Sequence, residues 1–220
     1  YGVDIDPFAT NIAMLRLWLS LAVDCDVPLP LPNLKFKIKT GDSLTGPDPS
    51  TMPDLFRERL RRRADLLVTL KEKYQNKHDP SKIADYAAIV CEERAIAKDL
   101  NANIGDDVID WRIHFAEVFA GEPTHGTVDG MFPVMNEIAG AQRKILVGER
   151  IGGFDIVLAN PPYLDSETMA KHHAQLREKI RLHYTLTKGN WDIYIAFFER
   201  GFQLLNAGGI LSFITPDKWL

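Results

Sequence analysis

The chain has 220 residues, 45% hydrophobic and 25% charged, the balance of a globular domain and not of a disordered or membrane-spanning chain. A formal charge of −4 argues against a general polyanion binder and leaves room only for a local basic surface. The longest apolar run, IAMLRLWLSLAV at 12–23, is broken by Arg16 and too short to cross a bilayer, and no signal peptide is visible.

In chain order, residues 1–5 predict a short apolar strand, whose abrupt start at Tyr1 reads as the middle of a domain from a longer protein. Asp6 as N-cap and Pro7 in the first turn start a helix that runs to about Val23. Phe8, Ile12, Leu15 and Leu19 mark one face and Leu17, Trp18 and Leu21 lie elsewhere, so burial on most sides is expected. Cys25 and Cys91 show neither a pairing pattern nor metal-ligand spacing, which points to a reducing, cytoplasmic setting. After the extended PLPLPN linker, LKFKIKTGD alternates Phe36 and Ile38 against Lys35, Lys37 and Lys39, as a lysine-guarded edge strand does.

Residues 48–106 then read as a helical hairpin. Thr51 and Asp54 resemble a capping pair around Pro53, and Phe56, Leu60, Ala64, Leu67 and Tyr74 form one apolar stripe. HDPS at 78–81 breaks the pattern, and a second helix turns Ile83, Tyr86, Val90, Ala97 and Leu100 inward, with Gly105 near its end. DWRIHF at 110–115 alternates like a strand, and 121–150 is rich in turn residues. FDIVLA at 154–159 is a strand, followed by NPPY and a polar stretch to Lys188. Asn190 then caps a helix carrying Tyr194, Phe197, Phe198, Phe202 and Leu205, stopped by Gly208 and Gly209 before the strand GILSFITP at 209–216. Apolar strands separated by helices predict a doubly wound, mostly parallel α/β sheet with an inserted helical hairpin. Residues 1–47 and 151–220 would form the two parts of the sheet domain, 48–106 the hairpin and 107–150 an irregular connection with one strand.

Chemistry concentrates at NPPY. Pro161 and Pro162 lack amide hydrogens, so they stop the strand and hold the next residues extended, fixing Asn160 and Tyr163 at the carboxyl edge where parallel sheets bind ligands. An aromatic amine is a poor nucleophile because its lone pair is delocalised into the ring, and alkylating it requires acceptors for its hydrogens. The Asn160 side-chain carbonyl and the Pro161 backbone carbonyl would supply two, and Tyr163 a flat face for an extruded base. A strand-terminating turn with an asparagine cap is the plainer alternative. Asp4 follows the first strand with two acceptor oxygens suited to a ribose diol, and a mere turn residue is an equal reading; Asp6 is better explained as the helix cap. Asp42 sits at the same rim and would accept from an adenine amino group, although a Gly-Asp turn accounts for it by itself. RERLRRR at 57–63 reads more readily as a solvated helix face than as a phosphate contact. His172, His173 and His183 read as surface histidines with no metal-ligand pattern.

GVDIDP, GDSL, FDIVLANPPY, GNWDIYIAFFERGFQLL and GGILSFITPDKWL, in that order, resemble successive motifs of the DNA adenine N6-methyltransferases, most of all the methyltransferase part of type IIG restriction-modification enzymes. DWRIHFAEVF resembles a block upstream of NPPY in that group. The resemblance implies S-adenosylmethionine as methyl donor, with Asp4 on its ribose, Ile5 packed on its adenine, Asp42 accepting from the adenine amino group beside Ser43, and Phe197 lining the same pocket. It implies that Asn160, Pro161 and Tyr163 hold a flipped adenine of double-stranded DNA, with Pro162 close to the cofactor and no metal required. The glycine-rich first motif and the target-recognition domain of that group are absent from this sequence, so the remainder of a parent chain is expected to supply them and the segment alone to be inactive. A protein-glutamine N-methyltransferase is the nearest alternative, because an amide nitrogen poses the same lone-pair problem, and a catalytically silent DNA-binding or scaffold subunit is a third.

Overall fold

The computed structural model describes residues 1–24, 31–49, 54–100, 107–119 and 152–217, with the backbone alone for 54–60 and 207. It divides into two units, Tyr1–Gly46 with Met52–Glu117 and Pro47–Thr51 with Val118–Leu220. The Thr51–Pro53 part of the expected helix start, Gly105 and the stretch 121–150 lie outside the described residues.

In the first unit, β1 (Gly2–Asp4) pairs in parallel with β2 (Ile38–Thr40), and α1 (Pro7–Asp24) lies between them in sequence. Asp6 caps α1 as expected: Phe8 N donates to its Oδ1 at 2.8 Å and Thr10 N to its carbonyl at 3.1 Å. Thr10 is the buried residue of this helix, and its hydroxyl lies 2.9 Å from that of Thr40. Burial of α1 on most sides is not found. Phe8, Ile12, Leu15, Leu17, Leu19 and Leu21 are exposed among the described residues, because two three-residue strands present too little surface to cover an 18-residue helix.

The expected edge strand is half turn. Lys37 N and Ile38 N both donate to Leu34 O, at 2.8 and 2.9 Å, which tucks Phe36 against the rings of Tyr74 and Tyr86 and leaves only 38–40 to pair with β1. Its lysines do not line an open edge. Lys35 and Lys39 sit over the Tyr86 and Phe36 rings, Lys39 also reaches Glu93 at 3.5 Å, and Lys37 donates to the Tyr1 hydroxyl.

The hairpin helices are α2 (Asp54–Gln75) and α3 (Lys82–Asp99), which pack on each other across the break at 76–81. Ala64, Leu67 and Tyr74 of the α2 stripe are buried, whereas the side chains of Phe56 and Leu60 lie outside the described residues. The inward face of α3 differs from the expected one. Asp85, Ile89, Glu93, Ile96 and Ala97 are buried, while Ile83 is 72% exposed. Ala97 is inward as expected and Tyr86 packs on Phe36 and Tyr74, but two of the buried positions are carboxylates, which hydrophobicity alone does not select. Both are neutralised where they sit: Asp85 by Lys73 and Lys77 at 2.8 Å each, Glu93 by Lys39 and Lys71. Arg63, at the end of the basic run, is committed to Glu92 at 2.6 Å and Asp99 at 2.9 Å.

DWRIHF is helical, not extended: α4 (Trp111–His114) is followed by α5 (Ala116–Phe119). Asp110 decides this by capping α4 through Arg112 N at 3.1 Å while gripping the Arg112 guanidinium at 3.0 and 2.8 Å.

In the second unit, β3 (Phe154–Ala159) pairs in parallel with β4 (Leu205–Phe213), with a register shift between Phe154 and Ile156. The polar stretch after NPPY forms α6 (Ser166–His172) and α7 (Ala174–His183), and α8 (Ile193–Leu204) leads directly into β4. The residue capping α8 is Asp192 and not Asn190, and β4 starts at Leu205, so Gly208 and Gly209 lie within the strand segment at its irregular part. Gly201 permits α8 to approach β4: a Cβ there would lie 2.6 Å from Leu211 Cδ1 and 2.8 Å from Phe213 Cζ. The opposite face of this sheet, with Ile156, Leu158, Ile210 and Ile214, is exposed among the described residues. The described strands thus form two two-stranded parallel sheets in a mixed α/β chain. Among the described residues no helix is long and apolar enough to cross a membrane, and no group of three or more potential metal ligands occurs.

Burial pushes the His114 imidazole down to about 4, with Lys39 and Lys71 acting in the same direction and Asp110 against it. The folded value lies below the ordinary 6.5, so the group's contribution to stability is complete above pH 6.5 and is lost as pH falls toward 4. His114→Gln should therefore flatten the acid-side fall in unfolding free energy across that window by on the order of 3 kcal/mol. Urea titrations at several pH values measure this, and an unchanged slope in the variant would refute it.

Candidate functional site

Parallel strands present their carboxyl ends along one edge, and ligands of α/β sheets bind there. The register of β1 on β2 places Asp4 opposite Thr40, and Gly41 N donates to Asp4 O at 2.9 Å. Asp4, Ile5 and the turn containing Asp42 and Ser43 are thereby brought to one edge of the first unit. Asp4 Oδ1 accepts from Asp6 N at 2.9 Å, while Oδ2 has no hydrogen bond among the described residues. Beside it Ile5 is 73% exposed. Asp42 shapes its own turn: Oδ1 accepts from Leu44 N at 2.8 Å and Thr45 N at 3.3 Å, and Oδ2 from the Thr45 hydroxyl at 2.6 Å. A carboxylate has about four lone-pair directions, which leaves capacity for one further donor.

Residues 107–111 brace this turn. Asp42 N donates to Asp107 O at 2.7 Å, Ile109 N to Asp42 O at 2.9 Å, and Trp111 Nε1 to Ser43 O at 3.2 Å. Gly46 lies so close that a Cβ would stand 2.1 Å from Ile109 O. Sequence reasoning did not find this role for Asp107, Ile109 and Trp111. The available signal was Trp111, whose indole N–H needs an acceptor when buried.

In the second unit the ladder between β3 and β4 ends with Ile214 N donating to Ala159 O at 3.0 Å, one residue before Asn160. Pro161 is buried, whereas Asn160, Pro162 and Tyr163 are exposed, Tyr163 by 64%. Among the described residues neither the Asn160 carboxamide nor the Pro161 carbonyl takes part in a hydrogen bond. Leu164 N turns back to Pro162 O at 2.9 Å, and Leu164 O accepts from Ile193 N at 3.0 Å. Ser166 N donates to Asp192 Oδ1 at 2.8 Å and Thr168 N to Asp165 Oδ1 at 2.7 Å. Phe197 is half-buried on α8, next to Phe198, whose ring packs on Phe213. From sequence alone the GNWDIY block favours DNA over a protein substrate, and Asp192 is given no role. In the fold Arg177 lies 4.6 Å over the Trp191 ring and donates to Gly189 O at 3.1 Å, while Asp192 and Ile193 hold the residues after NPPY. An aspartate directly before the first apolar residue of a helix was the signal for Asp192.

The model of the Eco57I restriction-modification methylase family matches residues 1–220. The chain is 39% identical over 80 residues to the type II methyltransferase M.PaeR7I of Pseudomonas aeruginosa, covering 36% of this chain and 13% of that protein. It is 21% identical to a putative type II restriction enzyme and methyltransferase, RM.MjaORFECS2P of Methanocaldococcus jannaschii, over 100% of this chain and 22% of that protein. To the type II restriction enzyme and methyltransferase RM.Eco57I of Escherichia coli it is 30% identical over 67 residues, 30% of this chain and 7% of that protein. The chain thus spans less than a quarter of the length of these relatives. No solved structure matches it.

The turn-forming part of Asp42 can be separated from any ligand contact. Asp42→Ala removes the acceptors for Leu44 N and Thr45 N, and amide exchange at these two positions should accelerate about tenfold, the equivalent of one ordinary hydrogen bond. Asp42→Asn retains the Oδ1 acceptor and should exchange at close to the native rate. Equal acceleration in both variants would show that the side-chain bonds do not hold the turn.

Proposed function

The chain belongs to the Eco57I restriction-modification methylase family, and from that premise we propose that it forms part of an S-adenosylmethionine-dependent DNA methyltransferase acting on N6 of a flipped adenine. The observation that carries this reading is the pair of open acceptors at NPPY. The Asn160 carboxamide and the Pro161 carbonyl are unbonded among the described residues at the end of a parallel strand, with an exposed tyrosine two residues beyond. Two carbonyl acceptors draw the hydrogens of an amino group out of conjugation, which localises its lone pair. The Tyr163 ring offers the face on which an extruded base stacks, and double-stranded DNA is the partner that supplies one.

The first unit fits the nucleoside part of the cofactor. An exposed isoleucine beside an aspartate with one oxygen unbonded among the described residues provides an apolar face for a base and an acceptor for a ribose diol, and the Asp42–Ser43 turn adds an acceptor at the same edge. Phe197 and Pro162 are read as further cofactor neighbours in the second unit. S-adenosylmethionine, when bound, supplies an electrophilic methyl group, so no covalent enzyme intermediate is needed. The reading takes the two parallel strand pairs as parts of one doubly wound sheet with α2 and α3 as its insertion, as the motif order implies. A restriction-modification parent enzyme would contribute the glycine-rich motif and target recognition.

Radiolabelled methyl transfer, measured on the enzyme expressed from its complete reading frame, tests the assignment. N6-methyladenine should be found in digested duplex DNA; label on a cytosine, or on a protein substrate in place of DNA, would overturn it. Asn160→Ala should lower kcat by about 100-fold or more at nearly unchanged cofactor affinity, because it removes a hydrogen bond that strengthens in the transition state. Asp4→Ala should weaken S-adenosylmethionine binding by calorimetry while DNA affinity persists. Native-like kcat in the first variant, or native cofactor affinity in the second, would remove the corresponding residue from the site.

A further inference from the structure

We propose that Asp192, in the GNWDIY block, is a positioning residue that sets the geometry of the NPPY loop through the backbone amide of Ser166. The inference rests on the methyl-transfer reading above and concerns a residue that does not itself touch substrate or cofactor.

An aspartate at a helix N-cap ordinarily turns its carboxylate back onto the amides of its own helix. Asp192 occupies the N-cap of α8 and makes no such bond. Its Oδ1 reaches across 26 residues of sequence to Ser166 N at 2.8 Å. Local capping of α6 does not require this, since Asp165 already accepts from Thr168 N. Helix α6 has seven residues, too few to be stable by itself, so its start depends on contacts from outside as well as on the Asp165 cap. Directly beside the carboxylate contact, Ile193 N donates to Leu164 O at 3.0 Å. Arg177 adds a third tie by stacking on Trp191 and donating to Gly189 O.

The entrance of the loop is referenced to the same framework. Ile214 N, just past β4, holds Ala159 O, and α8 is continuous with β4 and packed on it through Gly201. Residues 160–163 are therefore suspended between two anchors that belong to one helix–strand segment, and two prolines limit the backbone between them. Loss of the Asp192 anchor leaves the entrance intact and loosens the exit, which is then held by the Ile193 N–Leu164 O bond without the carboxylate beside it. The consequence falls on the orientation of Asn160, Pro161 and Tyr163, where a misplacement of about 1 Å costs on the order of 100-fold in rate.

The test uses the enzyme from its complete reading frame. Asp192→Ala should lower kcat by roughly tenfold to 100-fold, with KM for DNA and the dissociation constant of S-adenosylmethionine within about twofold of native. Asp192→Asn retains a carbonyl acceptor at Oδ1 and should restore kcat to within about threefold. Amide exchange at Ser166 should be faster in the alanine variant and close to native in the asparagine variant. If Asp192→Ala does not fold, Ser166→Pro removes the same bond from the donor side at the first helical position, where proline is tolerated, and should show the same loss of kcat. Native kcat in the alanine variant overturns the proposal. So does a joint fall of kcat, cofactor affinity and melting temperature that asparagine fails to rescue, because that pattern marks a residue supporting the fold alone. A native enzyme that transfers no methyl group to DNA counts against the methyl-transfer reading, and the exchange at Ser166 then still decides whether Asp192 braces the loop.

Discussion

A buried ammonium has to be neutralised where it sits, and the first unit is organised around that requirement at Lys71. The residue is 3% exposed on α2, and its Nζ lies 2.9 Å from both His114 O and Glu117 Oε2 and 3.7 Å from Glu93 Oε1. An unpaired charge at such a site costs several kcal/mol, so α2, α3 and the segment 110–117 are compelled to meet around it. Lys39 extends the cluster to β2, and burial lowers its ammonium from the ordinary range while Glu93 draws it back up. The Glu93 carboxyl is raised by the same burial, against the pull of Lys39 and Lys71. The register of α3 follows: a helix turned to bury Ile83 would take Glu93 away from Lys39 and Lys71.

That cluster bears on the edge where Asp4 and Asp42 lie. The segment held by Lys71 is continuous with Asp107, Ile109 and Trp111, whose backbone and indole groups support the Asp42 turn. The hairpin thus reaches the edge indirectly, by fixing the element that braces it. This gives α2 and α3 a structural role that needs no contact with a ligand, and it agrees with the commitment of Arg63 to Glu92 and Asp99.

The second unit poses a different problem, a strand end whose carbonyls find no partner among the described residues in a loop that is nonetheless held. In a sheet a carbonyl is normally consumed by a neighbouring amide, and buried polar groups without partners are costly. Two prolines end the pairing of β3 immediately after Ala159, and the acceptors that follow are unbonded among the described residues. The rigidity that pairing would have supplied comes from long-range ties instead. Asp192 and Ile193 hold the exit, and below them Glu199 accepts three hydrogen bonds from Thr185 and Leu186 at 2.8 Å each while Arg200 binds the Tyr184 hydroxyl at 2.8 Å. Buried carboxylates and guanidinium groups therefore organise this unit as they do the first.

The sequence by itself determined the features that short-range physics controls. The Asp6-Pro7 helix start, the break at HDPS, the inward Ala64, Leu67 and Tyr74, the strand at 154–159 and the position of NPPY at its carboxyl end all depend on caps, prolines and periodicity within a few residues. Tertiary structure decided whatever depends on a partner far along the chain. DWRIHF alternates as well as a strand does, but Asp110 closes a helix over it, and Lys71 bonds a glutamate 46 residues away. The lysines of 35–39 look like an exposed edge until Tyr86, Glu93 and Tyr1 come to meet them. Asn190 is the cap that the sequence suggests, whereas α8 begins after Asp192, whose carboxylate finds Ser166 26 positions earlier. A buried charge carries no record in its own neighbourhood of which distant group will neutralise it, and only the folded chain supplies that group.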